Sequence, residues 1–212
     1  MPNSRVVSQA ATRRLLKQQG RAMLLELGYA DASVSAIAAE AGFTTGAFYS
    51  NFPSKGALAL EVLDDLQSEA AGRLEAIFAG GRDVSTTIRA TRAWTEEVLA
   101  SGWPRLELEF ALANRRNPDV VSTEGKRNRA AADRIARLLE QVVPGPQPFT
   151  PYRIAEVILD LAFGLALRRI IDPSVTTDHV FDLIDAMVAT GGDFSSDATP
   201  QVLVLGSGES GG

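Results

Sequence analysis

Residues 44–51 read Thr-Thr-Gly-Ala-Phe-Tyr-Ser-Asn. Hydroxyl, amide and small side chains make up the outward face of this segment, at Thr45, Gly46, Ala47, Tyr49, Ser50 and Asn51. Short donors and acceptors of this kind suit close approach to base-pair edges in a major groove, where each pair displays its own pattern. Ser33 and Ser35 open the short helix before this segment, and Lys55 opens the long helix after it. Free amides and the helix dipole at such N-termini favour an anion, and phosphate is the anion that a base-reading helix meets. Catalysis has far less to work with. The chain has no Cys and one His, which excludes thiolate chemistry and multi-histidine metal sites. Asp64-Asp65, Glu96-Glu97 and Glu107/Glu109 are acidic pairs whose spacing sends them to different helix faces. No cofactor and no metal are expected, and the chain reads as a binding protein rather than an enzyme.

The elements that must position these residues are helical. Leu15, Leu16, Gln19, Met23 and Leu27 repeat at helical spacing, with Thr12 as a possible N-cap and Gly28 as a stop. Ser33 caps a short helix from Val34 to Ala41, and Thr44 caps another from Thr45 to Asn51. Gly42 lies between them and supplies the backbone freedom that lets two helices cross within a tight turn. Ile37, Phe43 and Phe48 are expected to form a small core against Leu24 and Leu27. Phe52-Pro53-Ser54 breaks the chain and Ser54 caps a long helix ending at Gly80-Gly81. Further helices are predicted at about 84–100, 104–115, 118–143, 151–171 and 176–190. No strand alternation stands out, and Val202–Leu205 is an isolated apolar run in a Gly/Ser-rich tail. The fold class is therefore all-α. Residues 1–53 form a three-helix helix-turn-helix unit and 54–82 a connecting long helix. Residues 83–194 form a larger helical domain, and 195–212 a flexible tail.

These residues resemble the TetR family of transcriptional regulators. The resemblance is carried by Gly28-Tyr29, by Ser33 to Ala38, by Ala41 to Phe52 and by Ser54 to Leu58, across roughly residues 12 to 60. It implies a DNA-binding regulator, with Ser33, Ser35, Thr44, Thr45, Gly46, Ala47, Tyr49, Ser50, Asn51 and Lys55 at the DNA. It places Tyr49 and Lys55 on phosphates, with Tyr49 also against a thymine methyl. Arg5, Arg13 and Arg14 are further candidate contacts. Gly20 stands where the family usually has Ala, at a helix-propensity cost of about 1 kcal/mol. Ala36 stands where an acidic residue often completes a capping box.

Two tasks are expected of residues 83–190. Dimerisation falls to the last two helices, through Ile154, Val157, Ile158, Leu161 and Leu165 and through Val180, Phe181, Ile184, Met187 and Val188. A pocket for an apolar or amphipathic effector is expected among Trp94, Val98, Trp103, Leu106, Phe110 and Phe163, with Glu107, Asn114 and Asp160 as its polar groups. The partners expected are an operator in double-stranded DNA, a small-molecule effector and a second copy of the chain. The absence of an apolar N-terminal run and of any long apolar window points to a cytoplasmic protein with no membrane partner. The function expected is a ligand-responsive regulator, a repressor released from a palindromic operator. The competing reading is a small-molecule-binding or scaffold protein with a vestigial helix-turn-helix. The net charge of −5 does not oppose DNA binding once it is divided. Residues 1–60 hold six basic groups (Arg5, Arg13, Arg14, Lys17, Arg21, Lys55) against three acidic ones (Glu26, Asp31, Glu40), so the excess of +3 leaves −8 for the rest. DNA binding is accordingly expected to fall steeply with salt.

Overall fold

Side-chain caps set where several of the helices begin. The computed structural model describes residues 4–80, 83–142 and 149–189. Among these the elements are α1 (Ser4–Asp31), α2 (Val34–Glu40), α3 (Thr45–Tyr49), α4 (Lys55–Gly80), α5 (Val84–Ala100), α6 (Trp103–Asn114), α7 (Pro118–Val142), α8 (Pro151–Ile171) and α9 (Asp178–Ala189), with no strand. Ser33 Oγ accepts from the Ala36 amide at 3.1 Å and Thr44 Oγ1 from the Ala47 amide at 3.2 Å. Ser54 Oγ accepts from the Ala57 amide at 3.0 Å, and Asp83 Oδ1 from the Thr86 amide at 2.7 Å. Each cap satisfies an amide that the helix itself leaves unpaired. The expected start of α1 at Thr12 is corrected: the helix already runs from Ser4, and Thr12 lies inside it. No Pro or Gly interrupts the stretch between them. Gly28 then turns the backbone to a positive φ of 87° and kinks the helix near its end. Val202–Leu205 and the tail from 195 lie outside the described residues.

One apolar core holds the N-terminal helices to the rest. Leu16 and Leu24 of α1, Ile37 of α2, Phe48 of α3 and Leu58, Val62 and Leu63 of α4 are fully buried in it, with Phe52. Leu106 and Phe110 of α6 are buried in the same cluster, so α6 belongs to this core as much as α1 does. Phe43 packs against it half-buried, but Leu27 is 39% exposed and does not join it. The inward face of α1 advances in steps of four, through Leu16, Gly20 and Leu24, which leaves Leu27 at its rim. A smaller cluster of Ala132, Ala136 and Ala155 joins α7 to α8.

A ladder of ion pairs fixes the register of α1 on α4. Arg13 pairs with Glu61, Lys17 with Asp65 at 2.7 Å, and Arg21 with Glu69. Each partner advances by four residues, one helical turn, along both helices. Beneath the ladder, α1 and α4 approach at Gly20. A Cβ there would stand 2.5 Å from Leu58 Cδ2 and 3.3 Å from Leu58 Cγ. The missing side chain is thus a packing requirement that outweighs its helix-propensity cost. Overpacking a filled core costs about 1–3 kcal/mol, against a propensity gain of about 1 kcal/mol for Ala. Gly20→Ala should therefore lower the stability measured by urea unfolding, by about 1 kcal/mol net; a stabilised variant would contradict this packing.

Candidate nucleic-acid interface

The α2–α3 turn is built as a helix-turn-helix needs. Gly42 adopts φ 76°, a region that residues with a Cβ rarely enter, and the Phe43 amide donates to the Ala38 carbonyl at 2.8 Å to close the turn. Phe48 anchors α3 from beneath, edge-on to Tyr49 at 5.5 Å between ring centroids. Above it, Thr45, Gly46, Tyr49 and Ser50 are exposed and Ala47 is half-buried. Tyr49 is 54% exposed, so it is a surface ring rather than a core one. Ser33, Ser35 and Thr44 are exposed at the starts of α2 and α3, with the two serine hydroxyls 3.1 Å apart. Two side chains on this face turn inward instead. Ser50 Oγ donates to the Gly46 carbonyl at 2.9 Å, and Asn51 Nδ2 donates to the Ala47 carbonyl at 2.8 Å. Asn51 Oδ1 is buried without a hydrogen-bond partner among the described residues.

Lys55 has partners other than the phosphate expected for it. Its ammonium donates to the carbonyls of Tyr29 at 2.6 Å and Ala32 at 2.9 Å, and lies 4.4 Å from the Tyr29 ring centroid. Burial pushes its pKa down, opposed by Asp31 and Glu109. In this arrangement Lys55 acts as the donor that closes the end of α1. Arg13, another expected contact, is bound to Glu61 and stacked 4.3 Å over the Phe52 ring. Arg5 has a side chain outside the described residues.

Residues without an expected role in the head complete this joint. Glu109 Oε2 accepts from the Ala30 amide at 2.9 Å, and Arg105 Nη2 donates to the carbonyls of Leu25 at 3.2 Å and Glu26 at 2.5 Å. The Tyr29 and Phe110 rings meet edge-on at 5.2 Å. Gly102, at φ 79°, passes so close to α1 that a Cβ would stand 2.0 Å from the Leu25 carbonyl oxygen. The signal was present in the sequence: Arg105 and Glu109 are spaced i,i+4 on one helical face, beside the i,i+4 pair Leu106 and Phe110.

The expected effector residues do not assemble into one pocket. Leu106 and Phe110 are buried in the core shared with α1 to α4. Phe163 and Asp160 are exposed on α8, and Asn114 Nδ2 donates to the Phe110 carbonyl at 2.8 Å. Trp94, Val98, Trp103 and Glu107 remain half-buried on α5 and α6. Burial raises the Glu107 pKa, while Arg127, 3.7 Å away, opposes the rise. Arg127 is itself buried and ties α7 to α4 through Asp64 at 3.2 Å and to Glu124 at 2.6 Å. A cleft of about 650 Å³ lies elsewhere, between α1 and the α5–α6 turn, lined by Leu25, Glu26, Ser101, Gly102 and Arg105 among others.

On the helices expected to dimerise, Val157, Ile158, Leu161 and Val188 are exposed. Leu165 and Phe181 are buried within the protomer, and Ile154, Val180 and Ile184 are half-buried, so these five serve its own packing in part or in full. The Met187 side chain lies outside the described residues. Phe163, Leu167, Ile170, Ile171 and Leu183 extend the exposed apolar set. A polar knot holds these helices to α5. Glu96 accepts from Arg169 Nη1 at 2.7 Å and from the Thr177 amide at 2.9 Å, while Arg92 pairs with Asp178. The Arg169 hydrogen bond, with help from Thr177, holds the Glu96 pKa down to about 2.

Among the described residues no helix is long and apolar enough to cross a membrane, and no group of three or more His, Cys, Asp or Glu is placed to hold a metal ion.

Helical head, turn and body together make a helix-turn-helix domain on an all-helical body. Residues 10–62 match the family model described as bacterial regulatory proteins, tetR family. Among solved structures, a TetR-family transcriptional regulator from Pectobacterium atrosepticum is 26% identical, with a TM-score of 0.57 over 76% of this chain and 84% of that one. A TetR-family regulator from Agrobacterium tumefaciens is 19% identical, with a TM-score of 0.64 over 77% and 90%. A SmeT–triclosan complex is 20% identical, with a TM-score of 0.61 over 84% and 91%. No match was found among curated proteins. The N-terminal domain thus matches the tetR family model, and the chain as a whole shares an all-helical fold with these solved regulators.

The Glu96 knot has a pH signature. A carboxylate whose pKa falls from an ordinary 4.5 to about 2 on folding stabilises the fold above pH 4.5, and that contribution is lost as the pH drops toward 2. Thermal unfolding should therefore lose stability over that range, and Glu96→Gln should flatten the acid limb. An unchanged limb would mean that Glu96 is not held by Arg169.

Proposed function

We propose that the chain is a homodimeric, ligand-responsive repressor. The observation that carries this reading is the exposed, uncharged surface of α3, held out by a buried Phe48 and flanked by capped helix starts. Each protomer would lay α3 in a major groove, with Thr44, Thr45, Gly46, Ala47 and Tyr49 at the bases and Ser33 and Ser35 toward phosphate. A two-fold dimer then reads a palindrome. The exposed Val157, Ile158 and Leu161 on α8, with Val188 on α9, supply an apolar face that a second copy would cover.

The effector would occupy the region of Trp94, Val98, Trp103 and Glu107, between α5 and α6. Triclosan, the aromatic ligand named in the SmeT complex, supports an apolar or amphipathic molecule here. Because Arg105 and Glu109 bind the main chain of the α1–α2 joint, a shift of α6 would tilt the head directly, in addition to any movement passed along α4. Release from the operator requires that the effector bind the tilted state more tightly than the DNA-competent one. The protein would act in the cytoplasm, where its operator lies.

The reading is tested by selecting bound duplexes from a random library and measuring their affinity by fluorescence anisotropy. A palindromic site should emerge, and Tyr49→Ala should weaken its binding by roughly 1–3 kcal/mol while light scattering still reports a dimer. A monomer that retains no duplex would contradict the proposal.

A further inference from the structure

The cleft between α1 and the α5–α6 turn is lined by two opposite charges that do not pair with each other. Glu26 is exposed on the α1 side and Arg105 is half-buried on the α6 side. Neither makes an ion pair among the described residues. Leu25, Leu99 and Ala100 supply the apolar part of the wall. The cleft volume of about 650 Å³ falls within the range of small-molecule sites, about 300–1,000 Å³.

Arg105 is also incompletely satisfied. Its Nη2 donates to the carbonyls of Leu25 at 3.2 Å and Glu26 at 2.5 Å, while its Nε is buried with no hydrogen-bond partner among the described residues. A buried donor left unpaired is unfavourable. A carboxylate binds a guanidinium through two parallel charge-assisted bonds, which neutral carbonyls do not match. A carboxylate entering the cleft can engage Nε and Nη2 together. The helix dipole at the start of α6 adds positive potential there, because Gly102, which also lines the cleft, provides no side-chain cap. The Glu26 rim, by contrast, suits a cation rather than a second anion.

We propose that this cleft is a second small-molecule site, distinct from the region of Trp94, Val98 and Glu107, and that it takes a small apolar zwitterion of the amino-acid type. The carboxylate sits on Arg105, the ammonium on Glu26 and the aliphatic part against Leu25 and Leu99. Because Arg105 holds the end of α1, a carboxylate that engages its guanidinium loosens the seam between the head and α6. The site acts on the head without movement along α4, and it stands whether or not α3 binds DNA.

The full-length, isotope-labelled protein is titrated by NMR with L-leucine, with isocaproate, which lacks the ammonium, and with L-leucinamide, which lacks the carboxylate. With leucine, the Leu25 and Gly102 amides and the Arg105 Nε–H resonance should shift saturably, with a Kd of about 1 mM, as suits so small a ligand in an open cleft. Each truncated analogue should bind about tenfold more weakly, for the loss of one charge-assisted contact. Glu26→Gln, at an exposed side chain, should weaken leucine by a similar factor and should not weaken isocaproate. Ala100→Trp should abolish the shifts at the cleft while the rest of the spectrum stays that of the folded protein. No saturable shift by about 20 mM leucine, shifts confined to α7 and α8, or equal binding of leucinamide would each overturn the site. Equal binding of isocaproate and leucine would overturn its preference for a zwitterion. No DNA enters the titration, so its failure leaves the reading of α3 untouched.

Discussion

The end of α1 is the constraint on which the rest depends. Gly28 breaks the helix, and around it the carbonyls of Leu25, Glu26, Tyr29 and Ala32 and the Ala30 amide all take side-chain partners. Unpaired main-chain groups at a packed joint cost about as much as lost hydrogen bonds. The chain satisfies them with side chains from two other helices: Lys55 from α4, and Arg105 and Glu109 from α6. The joint between head and body is therefore a hydrogen-bonded seam, with Leu106 and Phe110 reaching from α6 into the apolar core beneath it. In this fold the head is held by α6, through the end of α1, as well as by the long helix α4.

Charge is distributed to the same end. The basic stripe of α1 faces the acidic stripe of α4, so it fixes a register rather than marking a nucleic-acid surface. Exposed pairs of this kind contribute little individually, about 0–1 kcal/mol, and their value here is geometric. The net charge of +3 over residues 1–60 includes Arg13, Lys17 and Arg21, whose partners Glu61, Asp65 and Glu69 lie just past residue 60. Farther away, Glu96, Arg169 and Thr177 do for the α8–α9 turn what Lys55 and Glu109 do for α1: side chains satisfy main chain where a helix stops.

Much of the fold was legible in the sequence because capping and breaking are local. Ser33, Thr44 and Ser54 act at the helix starts read from them, and Gly42 takes the positive φ that the tight turn demands. The exposed face of α3 was legible for the same reason: in so short a helix, Phe48 inward leaves Tyr49 outward. Roles fixed by distant partners were not. Lys55 at a helix start reads as a phosphate ligand until the Tyr29 and Ala32 carbonyls, more than twenty residues away in sequence, are brought to it. Apolar periodicity likewise marked Leu106 and Phe110 as buried without saying which core they fill. On α8 it could not separate Leu165, buried in the protomer, from Leu161, which is exposed.

Held by this seam, α6 and the head should open as one cooperative unit. Native-state amide hydrogen exchange tests it most directly, because it reports the free energy of opening residue by residue. The amides of Leu24 and Ile37 should exchange with the same opening free energy as those of Leu106 and Phe110. Glu109→Ala should lower all four together. A head that opens at markedly lower free energy than α6, with the Glu109→Ala effect confined to Ala30, would contradict it.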